Sequence, residues 1–335
     1  PVLVGQRRQP VKGAEDVGGA VDEVEMGHQA TLAECAAQGE GLWVRLCSTS
    51  DGRRSAMDRR LFLAAGLASL ALAAPAWAQP ARFQPTRFSV EIVGEGPDVI
   101  LIPGLTSGRQ VWAASAAALP GYRYHLIQVA GFAGEPSRDN GRGPVIEPLA
   151  DQIVRYIESR RLRRPALIGH SMGGTLAMMV ALRRPDLAGR VMVVDMLPQP
   201  AGLYGGSASG WGGVAQTLGG MMDSEGGRRL FAGLLGAFSP PGGHNRSDPH
   251  VVGRAMSELT AIDLGPHLGR LRTPLTIVYA SPDARANPAI DRQFATAYAG
   301  ARGARLVRID GSSHQVMRDQ PGRFRAAMRR FLAPR

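Results

Sequence analysis

Cysteine and lysine are nearly missing from this 335-residue chain, which has two cysteines, Cys35 and Cys47, and one lysine, Lys12, among 39 basic residues. So little cysteine excludes a disulfide-stapled scaffold. Because both thiols fall in the first 50 residues, a cysteine nucleophile or a cysteine-rich metal site is excluded for the rest of the chain. No apolar run reaches the ~20 residues that span a bilayer as a helix, which excludes a polytopic membrane protein. With 44% hydrophobic and only 20% charged residues, the chain is not a disordered polymer either. The formal charge of +11 raises nucleic acid as a partner, but the arginines are scattered and are not interleaved with aromatics, which make up 6% of the chain. No nucleic-acid partner is expected.

What is present begins with a leader. From Met57 the sequence MDRRLFLAAGLASLALAAPAWAQP has a charged start, an apolar stretch from Leu61 to Ala74 and the small residues of Ala76-Trp77-Ala78. These are the three parts of an export signal, and Arg59-Arg60 resembles the twin-arginine form. Residues 57–78 are therefore expected to be cleaved, leaving no stable membrane anchor and an exported, periplasmic or secreted bacterial protein. Residues 1–56 show no sustained period and are expected to be a disordered, non-native upstream extension. Removing residues 1–78 takes away eight basic and nine acidic residues, so the remaining 257 carry +12.

In residues 79–335, apolar runs of strand length alternate with helical patterns. Strands are predicted at 88–93, 99–102, 124–129, 166–168, 191–194, 275–279 and 305–309. Helices are predicted at 147–161, from 171 to about 184, and from about Pro321 onward. This order predicts an α/β fold with a doubly wound, mostly parallel sheet, whose ligands sit beyond the carboxyl ends of the strands. From about 197 to 272 no strand is predicted, and short helices are expected at 230–238 and 251–259. An interval of this length is a candidate helical lid.

The chemistry centres on Gly169-His170-Ser171-Met172-Gly173, a G-x-S-x-G string that follows a short strand and opens a helix. A serine hydroxyl is a weak nucleophile at neutral pH and needs a base and an orienting acid. Of the seven histidines, His314 is the one in a loop just past a late strand, within Asp310-Gly311-Ser312-Ser313-His314. For the acid, Asp283 after the strand 275–279 is favoured, with Asp195 after 191–194 as its rival; both keep the order Ser, Asp, His. The oxyanion donors are expected to be the backbone N–H of Met172 and that of Leu105, in the loop after 99–102. Met221, Met222, Leu230, Phe231, Leu234, Leu235 and Phe238 give the insertion an apolar face suited to an acyl or alcohol group, or to sealing the lid on the core.

Taken together, the elbow GHSMGG, the strand end LIPGL, the acid segment YASPD and DGSSHQVMRDQP resemble the α/β-hydrolase superfamily, specifically its serine hydrolases of esterase or lipase type with a lid between the sixth and seventh strands. The resemblance covers about residues 88–332. Many relatives carry His-Gly where this chain has Pro103-Gly104. The serine at the elbow argues against the dehalogenase and epoxide-hydrolase branches, which use aspartate there. The resemblance implies cleavage of a small-molecule carboxylic ester through an acyl-enzyme, with no cofactor and no metal. A peptidase or amidase, an acyltransferase and a non-catalytic ligand-binding protein are the alternatives.

Overall fold

In the computed structural model the described residues are 83–204 and 246–334. The leader, the upstream extension, the helix expected at 230–238 and all seven apolar lid residues named above lie outside them. Seven strands are described: β1 (Phe88–Val93), β2 (Asp98–Ile102), β3 (Arg123–Val129), β4 (Ala166–His170), β5 (Arg190–Val194), β6 (Leu275–Ser281) and β7 (Arg305–Asp310). They form one sheet in the order β1-β3-β2-β4-β5-β6-β7. β1 runs antiparallel to β3, and every other pair is parallel.

The period-2 alternation of side chains divides the core into two layers. Ile100, Ile102, Leu167, Val191, Val193 and Ile277 point into one layer. Val99, Leu101, Ile168, Met192, Val194 and Val278 point into the other. Over the first layer lie α2 (Ile146–Ser159), α3 (Met172–Arg183), α4 (Pro249–Ala261) and α5 (Asn287–Ala297). Residues of α1 (Ala113–Ala117), α6 (Val316–Asp319) and α7 (Pro321–Leu332) fill the second. Helices on both faces make the doubly wound architecture that the sequence predicts. α2 shows the logic most directly: Ile146, Leu149, Ile153 and Ile157 recur at helical spacing, and all are buried.

The long interval expected at about 197–272 falls between β5 and β6, where the strand predictions place it. Its described parts are a 3-10 turn at Pro200–Tyr204, α4 and a second 3-10 segment at Gly265–Arg270. α4 begins on a strong cap, where the Asp248 carboxylate accepts from the His250 and Val251 N–H groups and Pro249 takes the first turn. No helix among the described residues is long and apolar enough to cross a membrane.

Candidate active site

Ser171 sits where β4 gives way to α3, with φ 53° and ψ −124°. A non-glycine residue in that region costs on the order of 1–3 kcal/mol and persists only where its surroundings hold it. Here the Ser171 N–H donates to Val194 O at 2.9 Å, and its carbonyl accepts from Gly174 N–H at 2.7 Å. The flanking glycines are required by backbone contact. A Cβ on Gly169 would lie 2.0 Å from Gly173 O, and one on Gly173 would lie 2.2 Å from Ile102 O. The G-x-S-x-G spacing therefore reflects the close passage of the turn over its own helix and over β2.

Further turns at the carboxyl edge carry strained non-glycine residues, among them Thr106 after β2, at φ 59°, and Asp195 after β5, at φ 51°. The Asp195 turn carries the carboxylate that meets His314. His314 Nδ1 lies 2.7 Å from Asp195 Oδ2, while Asp195 Oδ1 accepts from Ala280 N–H at 2.8 Å. Both side chains are only 9% exposed. A carboxylate at Nδ1 selects the Nδ1–H tautomer and makes Nε2 the basic nitrogen.

The expectation for Asp283 is thereby corrected. Its carboxylate is exposed in the loop between β6 and α5 and accepts from Arg285 N–H at 2.9 Å, inside its own turn. The physical reason lies in where each aspartate leaves its strand. Asp195 follows β5 directly, and its left-handed backbone turns the carboxylate back toward β6 and the loop beyond β7. Asp283 stands two residues past the end of β6, where the chain is already heading for α5.

The expected donors lie beside the elbow. Met172 opens α3, where the N–H groups of the first turn have no partner within the helix. Leu105 is half-buried in the turn closed by Ser107 N–H on Gly104 O, 3.1 Å. A Cβ on the neighbouring Gly104 would come within 3.1 Å of Ser171 Cβ and 2.9 Å of His170 Nδ1, so this loop packs directly on the elbow.

His170 is a residue that sequence reasoning passed over as the variable position of the motif. It is buried, its Nε2–H donates to His314 O at 2.8 Å, and the two rings lie 4.7 Å apart. Burial pushes its imidazole down to about 3, and the charge of a protonated His314 acts in the same direction. Neutral His170 thus ties the loop bearing His314 to the elbow bearing Ser171. Among the other histidines, His250 and His267 are exposed, and His125 is buried against Tyr156 and Asp98. Among the described residues no cluster of three or more His, Cys, Asp or Glu side chains could hold a metal.

A model of the alpha/beta hydrolase family matches residues 99–327. The pimeloyl-(acyl-carrier protein) methyl ester esterase of Aeromonas salmonicida is 33% identical over 111 residues, a third of this chain and 42% of that protein's length. The enzyme of the same name from Aromatoleum aromaticum is 25% identical over 247 residues, covering 67% of this chain and 94% of its own. Among solved structures, the enol-lactonase of Burkholderia xenovorans LB400 superposes with TM-score 0.60 at 21% identity, covering 73% of this chain and 96% of that one. A thermophilic esterase from Thermogutta terrifontis gives TM-score 0.62 at 20% identity, covering 76% and 98%. At these identities the structural likeness is one of fold.

Proposed function

The chain belongs to the alpha/beta hydrolase family, and from the geometry of its site we propose that it is a serine hydrolase that cleaves carboxylic esters. The observation that carries the proposal is the His314–Asp195 pair, 2.7 Å apart and tied through His170 to the strained elbow of Ser171. In this reading Ser171 Oγ attacks the ester carbonyl carbon while its proton passes to His314 Nε2. Asp195 holds the ring and stabilises the imidazolium. The N–H groups of Met172 and Leu105 receive the oxyanion. The tetrahedral adduct collapses as the alkoxide leaves with the proton from His314. Water then attacks the acyl-enzyme with His314 again as base, releasing the acid and restoring Ser171. Every step uses groups of this chain and water.

The relatives are named for a methyl ester and the fold neighbours for an enol lactone and for esters generally. They support a small-molecule ester as substrate, here one with an apolar group. The signal-like residues 57–78 support export to the periplasm or beyond, which N-terminal sequencing of the cell-derived protein tests. For the chemistry, the test is labelling with a fluorophosphonate alongside Ser171→Ala, followed by nitrophenyl esters and anilides of graded chain length. Labelling is expected to vanish in Ser171→Ala and turnover to favour esters. Labelling that survives the substitution overturns the nucleophile, and a preference for anilides overturns the substrate class.

A further inference from the structure

At the opposite edge of the sheet, where the strands begin, a cleft of about 650 Å³ is lined by Asp98, Tyr122, Arg163, Arg164, Arg190 and Leu332, among others. By the rise of β4 from Ala166, this edge is roughly 16 Å from Ser171. Beside it lies an apolar groove of about 600 Å³, lined by Val93, Ala113, Ala117, Tyr124 and Leu126. The two cavities share a wall, Pro120-Gly121-Tyr122. Each volume falls in the range of small-molecule sites, about 300–1,000 Å³.

That wall is fixed from both sides. The turn between β1 and β2 packs on it so closely that a Cβ on Gly96 would lie 2.3 Å from Gly121 O, and one on Gly94 2.5 Å from Tyr122 O. From the other side, Tyr122 Oη–H donates to Leu332 O at 3.1 Å. Arg190 holds the same C-terminal segment through Phe331 O at 2.6 Å and Ala333 O at 2.8 Å. The loop carrying Arg163 and Arg164 is seated equally tightly, because a Cβ on Gly189 would lie 2.3 Å from Arg164 O.

The charges in the cleft are unbalanced. Asp98 is already engaged by Arg123 at 2.6 Å and by His125 at 2.9 Å. In the groove, Glu91 pairs with Arg109, and Glu95 is exposed. Arg163 and Arg164, both exposed, have no ion pair among the described residues. The excess of arginine over acidic residues leaves guanidinium groups unpaired in many places; what sets Arg163 and Arg164 apart is that both line one cleft beside an apolar groove. Forked guanidinium donors match an oxyanion, and the groove matches an alkyl chain.

We propose that the two cavities form one site for a single-chain anionic amphiphile, with the chain along Ala113 and Ala117 and a phosphate or carboxylate head at Arg163 and Arg164. The proposal is independent of the reading of the active site. Its test is calorimetric titration of the full chain, with Ser171 blocked by a fluorophosphonate, using dodecyl phosphate and dodecanoate below their micelle concentrations. Saturable binding to the blocked enzyme is expected. The double variant Arg163→Ala/Arg164→Ala should weaken it at least tenfold, as should Ala117→Trp, which fills the groove from an exposed position. Both variants should leave nitrophenyl acetate hydrolysis unchanged. Dodecanol should bind wild type and the arginine variant alike, and inorganic phosphate should not bind measurably. Equal affinity in wild type and both variants, phosphate binding as tightly as dodecyl phosphate, or binding only to anionic phospholipid vesicles would each overturn the proposal.

Discussion

Replacing Asp195 by asparagine is the most discriminating perturbation of the site. The side chain keeps its volume, and its carbonyl can still accept from Ala280 N–H, now 2.8 Å away. The amide NH2 then faces His314 Nδ1, which sits 2.7 Å from the carboxylate oxygen it replaces. A donor in that place requires an unprotonated Nδ1, so the imidazole proton moves to Nε2 and the nitrogen meant to accept from Ser171 is no longer basic. The negative charge that supports the imidazolium is lost at the same time. For a buried aspartate in this role the expected loss in kcat is about 10⁴-fold, or about 5 kcal/mol of activation free energy. Asp283→Asn removes no bond to His314. Its Oδ1 can still accept from Arg285 N–H, so kcat should stay within about twofold, under roughly 0.5 kcal/mol. The assay is steady-state hydrolysis of a nitrophenyl ester with fluorophosphonate labelling rates, and circular-dichroism melts check that both variants fold. If Asp195→Asn keeps more than a tenth of kcat, or if Asp283→Asn loses more than Asp195→Asn, the assignment of the acid fails.

Gly173→Ala would put a methyl carbon 2.2 Å from Ile102 O, a backbone atom of the adjoining strand, so the elbow or β2 must move. A loss of about 4 kcal/mol or more is expected, read as a shift in the urea midpoint, and a variant that melts like wild type refutes the close-contact account of the motif. The imidazole of His170, held down to about 3 by burial, stays neutral in the folded protein where the unfolded chain at pKa about 6.5 takes up a proton. Folding stability should therefore be fully present above pH 6.5 and fall on acidification toward pH 3 by about 1.4 kcal/mol per unit, with His125, also held down by burial, acting in the same direction. His170→Gln keeps a donor for His314 O but removes the titration, so urea midpoints between pH 4 and 6 should lose about one proton's worth of slope; an unchanged slope refutes it.

The inner strands β2, β4, β5 and β6 were legible because they are buried in parallel pairing and read as short apolar runs, whereas the edge strand β7 is only partly buried. Their ends were less legible, since β2 and β5 begin on charged residues, Asp98 and Arg190, whose side chains leave the sheet at its edge. The elbow was legible because its two glycines answer to backbone contacts that any sequence making this turn must respect. The acid was not. Asp195 and Asp283 both follow strands, and chain order suits either. The usable signal was the immediate succession of strand and aspartate at Val194-Asp195, which parallels His170-Ser171 at the end of β4. The part played by His170 was hidden for a different reason: its partner is a backbone carbonyl 144 residues away, and no pattern of side chains announces such a bond.

The polarity of the sheet orders the charge that looked featureless in sequence. In parallel crossovers, helices start at the carboxyl edge of the strands and end at the amino edge, so the positive end of α3 falls at Ser171, where an oxyanion has to be stabilised. The negative ends of α2, α3 and α7 face the other way, toward Arg163, Arg164, Arg190, Arg329 and Arg330. Cations near helix C-termini are favourable by roughly 0.3–1 kcal/mol each, which explains why that edge tolerates arginine. Three helix ends supply only about −1.5 elementary charges, however, against five guanidinium groups. The dipoles leave most of that positive charge unmatched; Arg163, Arg164 and Arg190 line the cleft that meets the apolar groove, whereas Arg330 lines a separate cavity beside β6 and β7. An oxyanion with an alkyl tail is the complement of that remainder.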